Sequence, residues 1–61
     1  MFLKFTETKS NTVIALNVDN IVAVFEAAEG DLQGKTVINL VNGAVVVEES
    51  LIAVLGQLAA V

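Results

Sequence analysis

Apolar residues recur at a period of two along most of this chain, and clusters of turn-forming residues break the pattern at short intervals. That pattern predicts short β-strands joined by tight loops. The first strand is expected over Phe2 to Glu7, with Leu3 and Phe5 on one face and Phe2, Lys4 and Thr6 on the other. A polar loop, Thr8 to Asn11, leads into a second strand over Thr12 to Val18, whose Ile14, Leu16 and Val18 share a face. Asp19 and Asn20 form a turn pair, since both side chains bond their own backbone readily. A third strand, Ile21 to Ala28, is apolar on both faces as far as Glu26, which places Phe25 in the core. Glycines frame the loop from Glu29 to Gly34, and a fourth strand runs from Lys35 to Val41. Asn42-Gly43 calls for a type I′ hairpin, with Ala44 to Glu48 as the fifth strand.

After Ser50, the expected N-cap, the period changes: Leu51, Val54, Leu55, Leu58 and Val61 recur at helical spacing. Glu48 and Glu49 stand where they would complement the positive end of that helix. The expected fold is mainly β, a strongly bent five-stranded antiparallel sheet or small barrel with one C-terminal helix. One helix covers one sheet face, and the other face still carries alternating apolar residues. With 56% of its 61 residues hydrophobic, the chain is expected to shelter part of that surface against further copies of itself. Ala44 to Val47 contains neither charge nor proline, so this strand lacks the usual devices that block an edge.

Composition then narrows the chemistry. With no Cys and no His there is neither a disulfide nor a Cys or His zinc site. The longest apolar runs, Ile21 to Phe25 and Leu51 to Leu55, are far shorter than the roughly 18 residues of a spanning helix. No signal peptide is evident either, so a cytoplasmic protein with no membrane contact is expected. Catalysis is not, because only Asp, Glu and Lys remain as acids and bases. Lys9-Ser10 sits in a hairpin loop, where neighbouring side chains diverge. Glu26, Glu29 and Asp31 bracket a glycine loop without the spacing of a calcium loop, and read as a solvated acidic loop. The expected cofactor and metal complement is therefore none.

A net charge of −4 tells against broad affinity for phosphate backbones. The polar group Asn17, Asp19 and Asn20 has two readings at this point. It is simple turn chemistry, or it reaches base edges and sugar hydroxyls of a nucleic acid. Asn39, Asn42 and Gly43 pose the same choice.

Two resemblances bear on that choice. The segment Lys35 to Val47, an apolar strand, a tight glycine turn and a second apolar strand, resembles the second signature of Sm-like proteins. There an Ile-Arg-Gly tripeptide lines an RNA-binding pore; the matching residues here are Val41, Asn42 and Gly43, without the arginine. Asn17, Asp19 and Asn20 echo the first signature, while the helix stands at the opposite end of the chain. The overall look is similar to small arginine-free marine metagenomic proteins of cyanophage origin with Sm-like folds. This resemblance implies one Sm-like domain over residues 1–61, closing through its strand edges into a homo-oligomeric ring in the cytoplasm (of a host cell, if phage-encoded). Such a ring would bind RNA or single-stranded DNA through Asn17, Asp19, Asn20, Asn42 and Gly43, with Lys4, Lys9 and Lys35 meeting phosphates. The stretch Ile14 to Leu58 is also similar to small flagellar and swarming-motility proteins, in Leu16-Asn17-x-Asp19-x-Ile21, Thr36 to Gly43, and Val47-x-Glu49-Ser50. That second likeness implies a protein-interaction or assembly factor whose exposed strand edge captures another protein.

Overall fold

The computed structural model describes residues 1–28 and 30–61. Glu29, part of the acidic loop considered above, lies outside the described residues. Five strands follow in chain order: β1 (Phe2–Glu7), β2 (Thr12–Asn17), β3 (Ile21–Glu26), β4 (Thr36–Leu40) and β5 (Gly43–Val47). A single helix, α1 (Leu51–Ala59), ends the fold, and 3₁₀ turns stand at Val18–Asn20 and Gly30–Leu32. The strands form one open antiparallel sheet in the order β2-β1-β5-β4-β3. The chain is thus mainly β with one C-terminal helix, in the open-sheet form of the expectation.

The sheet has two unequal parts. β1 and β2 pair in full register, from Phe2 opposite Asn17 to Glu7 opposite Thr12. β3, β4 and β5 form a meander. The parts meet at the single pair Glu7 and Val47, flanked by two backbone bonds: Thr8 N–H to the Val46 carbonyl and Glu48 N–H to the Thr6 carbonyl, each 2.8 Å. The outer strands β2 and β3 are joined only by the turn Val18–Asn20. In a flat sheet five strands wide they would lie about 19 Å apart, at roughly 4.8 Å per spacing. Four Cα–Cα steps span at most about 15 Å, so the sheet must curl to be connected this way.

One face of each strand lines the concave side. Phe5, Ile38, Val47 and Val54 are fully buried there, with Leu3, Ile14, Leu16, Ile21, Val24, Leu40, Val45 and Leu58 packed around them. The helix supplies Val54 and Leu58, and its start is fixed by Ser50, whose Oγ accepts from Ala53 N–H at 3.1 Å. The rest of its apolar stripe is less sheltered, since Leu55 and Val61 stay exposed.

Several local expectations are corrected. The third strand ends at Glu26, short of Ala28, and the second ends at Asn17, with Val18 opening a 3₁₀ turn. No type I′ turn forms at Asn42-Gly43. Leu40 stands opposite Gly43, so Val41 and Asn42 are the loop residues, and neither has positive φ. At this turn it is Gly43, at φ 157°, that uses a conformation which side-chain-bearing residues rarely adopt. The positive φ of a non-glycine residue falls instead at Asn11 (56°), which closes the first hairpin with its N–H on the Glu7 carbonyl. Phe25 is not core; it is 46% exposed. The cause is an irregularity between Ile21 and Ala23, where Val22 is the extra residue. That bulge keeps Ile21 and Val24 inward and turns Val22, Ala23 and Phe25 outward. Finally, β5 is not an outer strand, because β4 flanks its whole length and β1 its last residues.

Candidate functional site

Glu49 is central to the junction of the two parts. Its carboxylate accepts the Thr6 N–H on both oxygens, at 2.9 and 3.0 Å. Its carbonyl accepts the hydroxyl of the fully buried Thr36 at 2.7 Å. A side chain therefore takes the place of a backbone partner for β1, where β5 has already ended. Glu48 points the other way and meets the Lys35 ammonium at 2.8 Å. That hydrogen bond, helped by the nearby Thr8 hydroxyl, holds the Glu48 carboxyl below its ordinary value. The two glutamates are thus strand-junction groups, and the first turn of α1 carries no acidic residue.

The polar residues singled out in the sequence divide between the two ends of the sheet. Asn17, Asp19 and Asn20 meet Asn42 and Gly43 at one end, because Val41 N–H donates to the Asn20 carbonyl at 3.0 Å. Asn17 Oδ1 accepts from Asp19 N–H at 3.1 Å and caps the 3₁₀ turn, so this amide oxygen is occupied by turn chemistry. Met1 and Phe2 reach the same end, where the Met1 carbonyl accepts from Val18 N–H. Phe2 is 65% exposed there, and Val41 is similarly open.

The lysines do not converge on this cluster. Lys4 is exposed on β1 opposite Ala15, two residues along from Phe2. Lys9 and Lys35 lie at the far end of the strands, about 17 Å away for five residues at roughly 3.3 Å each. Lys35 is engaged by Glu48. The charge nearest the asparagines is that of Asp19.

Nor do the acids assemble. Among the described residues no group of three or more side chains is placed to hold a metal ion. Ser10 Oγ donates to Glu7 Oε1 at 2.6 Å, and its neighbour Lys9 takes no part in that bond.

Sequence reasoning did not mark a groove that the described residues form. A groove of about 360 Å³ is lined by Glu7, Thr8, Lys9, Leu32, Ala44, Val45 and Val46, where β1 departs from β5. Thr8 Oγ1 is buried there without a hydrogen bond of good geometry, although it lies beside the Glu48 carboxylate. The signal that reaches this place is the uncharged run from Ala44 to Val47, read as an unblocked edge.

No protein-family model matches the chain, and no curated protein or solved structure matches it either. Among the described residues, no helix is long and apolar enough to cross a membrane.

Proposed function

We propose that this chain is a non-catalytic protein-association module, which joins copies of itself and captures other polypeptides through unpaired strand edges. One observation carries the reading. Both outer strands, β2 and β3, are six residues long, and their only charge is Glu26 at the very end of β3. Edges of that kind are templates for pairing with another chain. Outward apolar side chains beside them, Val13, Val22 and Phe25, stay 63%, 66% and 46% exposed. A β2 edge meeting the β3 edge of the next copy is a head-to-tail contact, which closes into a ring or runs on as a filament. Mass measurement by light scattering at micromolar concentration tests this, with an assembled species as the expected result. A stable monomer across the concentration range overturns self-association.

A second reading, a ring of Sm-like type binding RNA or single-stranded DNA, draws on a different observation. Asn17, Asp19, Asn20, Asn42 and Gly43 gather at one end beside the exposed ring of Phe2. Stacking on one aromatic ring is worth about 1–3 kcal/mol per base. Dispersed lysines and the Lys35–Glu48 pair weigh on the other side. Fluorescence anisotropy with labelled oligo-U and oligo-dT at low salt separates the readings. Saturable, salt-sensitive binding favours this one.

A further inference from the structure

The groove beside β5 runs along the edge of that strand which β1 leaves open. The bonds from Thr8 N–H to the Val46 carbonyl and from Glu48 N–H to the Thr6 carbonyl put the even-numbered residues of β5 toward β1. Strand alternation then aims the N–H and carbonyl of Ala44 the same way. No described residue pairs with either group, because β1 ends at Glu7 and the chain turns off through Thr8 and Lys9. Leu32, 40% exposed on the 3₁₀ turn that follows β3, lines the same groove. Val46 lines it too, and the buried Thr8 hydroxyl stands there beside the Glu48 carboxylate. The charges at the rim, Glu7 and Lys9, are one of each sign.

We infer that this groove takes a short extended segment of another polypeptide, which continues the interrupted β1 side of β5 by pairing with Ala44 and laying an aliphatic side chain between Leu32 and Val46. The inference rests on the association reading and specifies one site within it. A strand fits because the unpaired groups are a main-chain donor and acceptor on one residue, which another backbone matches in both. An aliphatic side chain fits because Leu32, Val45 and Val46 line the groove. The outer edges of β2 and β3 have unpaired groups too, but the groove's residues are not theirs. It therefore discriminates among partners by side chain, where an open edge does not.

The test is an amide chemical-shift titration of the whole chain with the capped hexapeptide Lys-Val-Thr-Val-Thr-Lys. Two isomers accompany it, one N-methylated at both valines and one at both threonines. Saturable shifts at Thr8, Leu32, Ala44 and Val46 are expected. One methylated isomer should bind about tenfold more weakly, the worth of one good hydrogen bond, while the other binds like the parent. That split arises because alternate amides of a strand face opposite sides. Leu32→Glu, at an exposed position that leaves the core untouched, should weaken the parent peptide by a similar factor. Shifts confined to β2 or β3, no saturable shift at all, or equal binding of all three peptides overturns the inference. If light scattering still shows an assembled species in those cases, the association reading stands and only this site fails. A monomer that also ignores the peptide removes both.

Discussion

The β1–β2 hairpin and the β3–β4–β5 meander solve the same problem by different means. In the meander β4 is paired on both sides over its whole length. The hairpin is joined to it by two backbone bonds and then by side chains: Glu49 on Thr6, and Gln57 Nε2 on the Lys4 carbonyl at 3.4 Å. An isolated two-stranded hairpin is marginal in water, whereas three strands with an apolar face can stand alone. What holds the hairpin is therefore its apolar face, Leu3, Phe5, Ile14 and Leu16, docked on the common core. The difference teaches that where β5 has ended, one carboxylate accepts the amide that a further strand residue would have taken. It also leaves β5 with a free stretch of backbone.

The comparison breaks first at Phe5. Phe5→Ala should cost about 3–5 kcal/mol. The whole stability expected of a chain this long is only about 3–9 kcal/mol. Circular dichroism is expected to show a largely unfolded protein, and a mild effect would mean that the hairpin does not depend on its docked face. Next comes the seam. Glu49→Ala leaves the Thr6 amide without its acceptor and is expected to destabilise by about 1–3 kcal/mol in urea melts. Thr36→Val removes a hydroxyl that bonds to the same residue and should cost about 1 kcal/mol. Because both act through Glu49, the double variant is expected to depart from additivity.

A smaller change should go the other way. Gly56 lies within α1, and a Cβ there meets nothing within 4 Å, so Gly56→Ala is expected to stabilise by about 0.5–1 kcal/mol. The gain reaches the hairpin only through the core and the Gln57 bond to Lys4, so hydrogen exchange should slow in α1 more than in β2.

The smallest effect concerns Lys35 and Glu48. Since Glu48 is held below its ordinary value of 4.5, its contribution is present above that pH and fades as pH falls through the lower folded value. Lys35→Met should therefore lower the melting temperature slightly at neutral pH and leave it unchanged in acid. A difference that grows in acid would contradict the pairing.

Much of this was legible in the chain. The period of two located all five strands, and β1 is bounded by Phe2 and Glu7 as expected. Ser50 and the change of period marked the helix. Two errors share one cause, a shift of one residue. Val22 slips the phase of β3 and turns Phe25 out, and the hairpin loop forms one residue before Asn42-Gly43. Alternation carries no information about where such a slip occurs. The seam was not legible either, since Glu49 and Thr6 are 43 residues apart and their meeting depends on strand order. For the polar cluster, the turn at Asn17, Asp19 and Asn20 was readable from residue type, while its meeting with the loop at Asn42 follows only from β3 pairing β4. Lys35 was read as meeting phosphates, and its pairing with Glu48, just past the end of β5, follows only from β4 pairing β5.

The claim that the molecule's outer strands are unfinished without a partner can be measured directly by hydrogen exchange of the outward-edge amides of β2 and β3 at several protein concentrations. Fast exchange in dilute solution, slowing as concentration rises while the β4 amides stay protected throughout, is the expected result. Protection of those edges that is the same at every concentration would contradict it.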